Sequence, residues 1–152
     1  MSTISTALRP IRIPEASVLR RDAAAQAFML LRITFTVAPI LFGIDKFAGV
    51  LTDDWTKYLA TEFNDLIPGN ASDAMHIVGV VEIAAGLAVA FVPRFGGLLV
   101  AGWLAGIIVS LLLVGGYGDI ALRDFGLLVG ALTLARLGSA YAKPQVPMRQ
   151  LR

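Results

Sequence analysis

Four apolar stretches dominate this sequence, over about 23–47, 71–92, 97–114 and 120–137. Each approaches the ~20 residues that an α-helix needs to cross a hydrocarbon layer about 30 Å thick. They restrict the chain to an all-α fold, an integral membrane four-helix bundle. The charge content agrees. Charged residues make up 16% of the chain and hydrophobic ones 57%, whereas a soluble domain is about a quarter charged. So few charges cannot cover a globule in water, and lipid must cover much of it.

The first stretch begins near Ala23 and continues to about Phe47. That is too long for the core of a cleaved signal peptide, so it reads as a retained helix. It is interrupted by Arg32 and by Pro39, which lacks an N–H and should kink it. Residues 1–22 carry Arg9, Arg12, Arg20 and Arg21 with Pro10 and Pro14, and read as a basic cytoplasmic arm. Pro93-Arg94-Phe95-Gly96 reads as a tight link between helices 2 and 3, Gly115-Gly116-Tyr117-Gly118 as a flexible turn, and 139–152 as a polar cytoplasmic tail.

Residues 52–67 differ. Trp55, Tyr58, Leu59, Phe63, Leu66 and Ile67 recur at spacings of three and four, with Asp53, Asp54, Lys57, Glu62 and Asp65 between them. This pattern predicts one extra amphipathic interfacial helix between helices 1 and 2, too charged to span. Pro68-Gly69-Asn70 stops it, and Asn70 or Ser72 can cap the helix that follows.

Lysine and arginine set the orientation. Nine of the thirteen lie in the N-terminal arm, at Arg94 or from Arg136 onward. Lys46, Lys57 and Arg123 lie on the other side, together with eight of the eleven acids. Both termini are therefore expected in the cytoplasm, with the chain in a cell's inner (plasma) membrane and the amphipathic helix outside.

Lipid tails are as apolar as leucine, so helix association relies on small residues that allow close approach. Gly102 and Gly106 in helix 3, Gly126 and Gly130 in helix 4, and Gly79 and Gly86 in helix 2 are the expected packing positions. They serve either the bundle itself or a contact with another subunit.

A charge at mid-bilayer costs about 2.5–3.5 kcal/mol or more and needs a partner. Arg32 lies roughly 13 Å into helix 1, and Glu82 roughly 15 Å from the same side of helix 2. Matching depths on neighbouring antiparallel helices predict an Arg32–Glu82 ion pair that fixes helix register. A second cluster gathers at the outer surface: Asp45 and Lys46 end helix 1, His76 opens helix 2, and Tyr117, Asp119, Arg123 and Asp124 open helix 4. Asp119 and Arg123 share a helix face. The cluster is either an interfacial salt-bridge network or a pocket for a small anion or a quinone head group, with His76, Arg123 and Tyr117 as donors.

The sequence has no cysteine and one histidine. This excludes disulfides, iron–sulfur clusters, thiolate zinc sites and a haem held by two histidines of one chain. No metal site and no catalytic constellation is expected. A net charge of +2 without a basic stripe excludes nucleic acid as a partner.

Leu31-Arg32-Ile33, Phe42-Gly43-Ile44-Asp45-Lys46-Phe47, Gly79-Val80-Val81-Glu82-Ile83-Ala84-Ala85-Gly86-Leu87 and the glycine-rich third helix resemble the DoxX-like family of small four-helix membrane proteins. The resemblance covers about residues 27–138, and Arg32, Lys46 and Glu82 are the positions that match it. It implies a membrane subunit: some members belong to a thiosulfate:quinone oxidoreductase, and others associate with larger redox assemblies. The amphipathic segment and the Asp119–Asp124 stretch stand outside the matched pattern.

Three functions follow as expectations. The first is an accessory subunit that stabilises a respiratory or photosynthetic electron-transport complex as part of a supercomplex. The second is a quinone-linked oxidoreductase subunit of the thiosulfate:quinone type, and the third a carrier of a small solute or proton with Glu82 titrating. The expected partners are the lipid bilayer, bound lipids and other membrane subunits; no covalent cofactor is expected, and quinone is the candidate ligand.

Overall fold

A computed structural model describes residues 22–65 and 69–141. Among these, all regular structure is helical. Four long helices carry the fold: α1 (Ala23–Ala48), α2 (Ala71–Phe91), α3 (Pro93–Val114) and α4 (Gly118–Tyr141). α1, α2 and α3 are each long and apolar enough to cross a membrane. The expected arm and tail fall mostly outside the described residues, apart from Asp22 and the end of α4.

Each helix boundary has a local cause. Asp22 caps α1 by accepting from the Ala24 amide, and the left-handed Gly49 (φ 61°) ends it. α1 is continuous through Pro39. Asn70 and Asp73 form a reciprocal capping box at the start of α2. Pro93 occupies the first position of α3, where a missing N–H is harmless. The 93–96 stretch is therefore the first turn of α3 rather than a link, and Val92 alone joins α2 to α3. So sharp a hairpin brings Gly96 against the Val89 backbone, where a Cβ would collide with the Val89 nitrogen.

The predicted amphipathic helix over 52–67 is not continuous. A 3₁₀ turn (Thr56–Tyr58) and one helical turn (Thr61–Asn64) are separated by Leu59 in extended conformation. We call residues 49–60 the strap. Its tertiary hydrogen bonds, described below, outcompete the weak helix propensity of a short charged segment.

The closest packing is α1 on α2 and α3 on α4. Glycines permit both, and only some of them are the ones expected. Gly43 and Gly79 meet face to face, each with a Cβ position within 2.8 Å of the other's carbonyl oxygen, and Gly86 lies against Thr36 and Ile40. Gly97 rests on Ala131 and Ala135, and Gly138 on Arg94. Of the expected positions, Gly79 and Gly86 pack as above and Gly130 packs on Phe35, whereas Gly102, Gly106 and Gly126 face open space among the described residues.

The bundle is divided along its length. Towards the α2–α3 hairpin it is apolar, with Phe28, Phe35, Ala85, Val89, Val100, Leu104 and Leu134 in one buried cluster. Tyr141 closes that end: its ring stacks on Phe28 and its hydroxyl donates to Asp22. Towards the strap the interior holds Asp45, Glu82 and Ser110. Outside, Leu30, Ile33, Val37, Leu41 and Ile44 form an exposed apolar stripe along α1, and Leu122, Phe125, Val129 and Leu132 another on α4. Stripes of this length suit lipid.

Candidate functional site

The register set by Gly43 and Gly79 decides which charges meet. It places Lys46, near the end of α1, one turn from Glu82 on α2. Lys46 Nζ lies 2.7 Å from Glu82 Oε2, and the two side chains are only 5% and 10% exposed. The lysine stem thus runs inward along α2, opposite to the outward reach usual for lysines near helix ends. A buried carboxylate accounts for this direction, because Glu82 in mid-span has no water as an alternative and holds the ammonium inward. Trp103 on α3 brings its buried indole N–H towards the same carboxylate without completing a hydrogen bond.

Arg32 is not part of this pair, contrary to the sequence expectation. The same register sets it two helical turns away, where its guanidinium donates to the Ala90 carbonyl. Ala90 lies in the last turn of α2, whose carbonyls lack helical partners and carry the negative end of the dipole. Arg32 is therefore a cap on α2. The depth argument failed because α1 starts well beyond the end of α2, so equal counts along the two helices are not equal heights.

Asp45 is buried beside Lys46 but faces the strap. Its Oδ1 accepts the Val50 and Leu51 amides, each at 2.9 Å, and its Oδ2 accepts Trp55 Nε1 at 3.0 Å. The Trp55 ring is thereby held 4.1 Å from Lys46 Nζ, a cation–π contact, with Phe42 edge-on behind it. Further along, Ser110 of α3 clips the strap: its hydroxyl donates to the Tyr58 carbonyl and accepts the Ala60 amide. Asp54 turns the strap by accepting from both the amide and hydroxyl of Thr56. Those bonds hold the Asp54 carboxyl below its ordinary range.

Beside the strap is a cleft of ≈ 240 Å³ lined by Lys46, Phe47, Asp53, Trp55, Ser72 and His76, among others. His76 stacks flat on Phe47, 4.9 Å between ring centres. Of the seven residues expected to gather here, Lys46 and His76 line the cleft and Asp45 anchors its roof. The four from the α3–α4 side do not join them. Arg123 pairs with Asp119 at 3.2 Å on the exposed surface of α4, Asp124 is half-buried on the same helix, and Tyr117 packs edge-on against Tyr58. No group of three or more metal-binding side chains occurs among the described residues.

No family model, curated protein or solved structure matches this chain.

Trp55, Ser110 and Trp103 escaped the sequence reading as partners of this site. Trp55 stood only as one apolar position of the amphipathic segment, and the single serine of helix 3 carried no signal except its rarity within an apolar run. What the assembled groups can do chemically is limited and clear. A carboxylate and an ammonium are held together inside the bundle, one strap away from water.

Proposed function

We propose that this chain is a DoxX-like inner-membrane protein that crosses the bilayer four times and acts as an accessory subunit stabilising a larger membrane redox complex. Both termini lie in the cytoplasm in this reading, and the strap lies outside. α4 serves as the fourth crossing. Its 24 residues run along α3, and its charges keep to its two ends, leaving 125–135 uncharged.

The observation that carries the proposal is the open glycine face. Among the described residues, a Cβ at Gly102 or Gly106 on α3 or at Gly126 on α4 would meet nothing within 4 Å. A glycine in a helix interior costs about 1 kcal/mol relative to alanine, and among the described residues these three gain no close contact in return. A helix of another subunit supplies one. The charges support the same reading, since Arg32, Asp45, Lys46, Glu82 and Arg123 all close on other parts of the chain.

Native electrophoresis of gently solubilised source membranes, with mass spectrometry of the band, tests the proposal. Co-migration with a cytochrome or pigment complex is expected, and Gly106→Leu should release the chain from it while preserving its helical content. Migration of the wild type alone, as a monomer or dimer, rejects the accessory role.

The cleft favours a second reading, a quinone-linked subunit of the thiosulfate:quinone oxidoreductase type, with the quinone head between Lys46 and His76. Purified protein that reduces no quinone with thiosulfate or related anions as donor rejects it.

A further inference from the structure

The strap is joined to the bundle in a way that suggests movement against it. It leaves α1 through Gly49, whose left-handed backbone (φ 61°) also ends the helix. Its hold on the helices is through a few discrete contacts: the Asp45 carboxylate on Val50, Leu51 and Trp55, the Trp55 ring over Lys46, and the Ser110 hydroxyl on Tyr58 and Ala60. Apart from the fully buried Ala60, the strap residues are partly or fully exposed. Few buried apolar contacts and partly exposed backbone bonds place such a segment among the least stable parts of a fold.

Beneath it lies the one ion pair among the described residues that joins two of the apolar spans. Lys46 lines the cleft next to the strap and contacts Glu82 at its tip. In the other direction the route is closed, because Phe28, Phe35, Ala85, Val89, Leu104 and Leu134 fill the bundle between Glu82 and the α2–α3 end.

We infer that residues 49–60 are a latch that opens and closes water access to the Lys46–Glu82 pair from the strap end only. Closed, the Trp55 ring shields the ammonium and keeps the pair dry. Released at Asp45 and Ser110, the latch lets water and protons reach Glu82 by way of Lys46, while the apolar half of the bundle stays sealed. Glu82 then exchanges protons with one side of the membrane alone. This inference is independent of the accessory role proposed above.

Lysine labelling tests it, because the sequence has only three lysines, Lys46, Lys57 and Lys143. The full chain in lipid nanodiscs is treated with a water-soluble acetylating ester, and the modified peptides are quantified by mass spectrometry. Lys57, exposed on the strap, is the internal reference. In the wild type, Lys46 should react at least tenfold more slowly than Lys57. Ser110→Ala removes both clip bonds, and Trp55→Phe keeps a ring but removes the bond to Asp45. Each should raise the Lys46 rate at least fivefold with the Lys57 rate unchanged, and circular dichroism should show the helices intact. Equal rates for Lys46 and Lys57 in the wild type overturn the inference, since nothing is then closed. Unchanged protection of Lys46 in both folded variants also overturns it, since the helices and not the latch then exclude water.

Discussion

Breaking the Lys46–Glu82 pair from its two sides should have unequal consequences, and the inequality can be worked out from where each charge sits. Lys46 is two residues from the end of α1, beside a cleft that reaches water. Glu82 is eleven residues, about 16 Å, into α2. In Glu82→Gln, Lys46 loses its partner but can swing its stem outward and hydrate its ammonium, so the cost should be about 1–2 kcal/mol. In Lys46→Met, the carboxylate is left in the middle of a span with only the Trp103 N–H nearby. It must stay charged at about 2.5–3.5 kcal/mol or more, or take up a proton. At about 2–4 °C per kcal/mol for a chain of this size, Lys46→Met should lower Tm in mild detergent by roughly 5–14 °C, and Glu82→Gln by roughly half as much. The double variant removes both charges and should unfold nearer the wild type than Lys46→Met does, as replacement of whole buried pairs usually allows. A thermal scan followed by circular dichroism reads all three. A Glu82→Gln variant as unstable as Lys46→Met, or a double variant whose loss equals the sum of the singles, refutes the reasoning.

Three other outcomes are expected. Gly43→Ala should destabilise the isolated protein by about 1–3 kcal/mol, because its Cβ meets the Gly79 carbonyl oxygen at 2.5 Å and the α1–α2 backbones must part; Gly102→Ala, with open space around it, should be neutral or slightly stabilising in the same melt. Arg32→Gln should cost about 1–3 kcal/mol through the lost charged hydrogen bond to Ala90, and adding Glu82→Gln should give a simply additive loss, whereas an ion pair between them would give coupling in the double-mutant cycle. Asp54 is held below its ordinary pKa in the folded strap, so its contribution is present above the ordinary aspartate range and lost as pH falls through the folded value; an acid titration of Trp55 fluorescence, read against a Trp55→Phe blank, should show a smaller change below the ordinary range in Asp54→Asn than in the wild type.

The four helices were legible in the sequence because their cause is local. A run of about twenty apolar residues has no stable alternative in lipid, where every backbone group must be paired within the segment. Caps and breakers were legible for the same reason, as Asn70 at the start of α2 and the Gly115-Gly116 turn illustrate. The glycines were legible only in part. Gly79, Gly86 and Gly130 pack as expected, but Gly102-xxx-Gly106 has the spacing of a packing motif and meets nothing among the described residues, while Gly43, Gly97 and Gly138 make close approaches that no motif marked, since spacing says nothing about which face a neighbour occupies.

Charge partners depended still more on tertiary structure. The sequence showed that Arg32, Lys46 and Glu82 each needed compensation, because burying a charge is costly wherever it happens. It did not show that Gly43 would seat on Gly79. That single contact fixes the height of α1 against α2, gives Glu82 to Lys46, and leaves Arg32 to cap the end of α2. The strap followed the same logic. Its amphipathic spacing predicted a helix, but Asp45 and Ser110, distant in sequence, offered hydrogen bonds that a helix of this length could not match. Composition and periodicity, which each segment carries within itself, determined what the helices are and that they suit a membrane. Register and the pairing of charges are properties of two surfaces in contact, and only the packed bundle decided them.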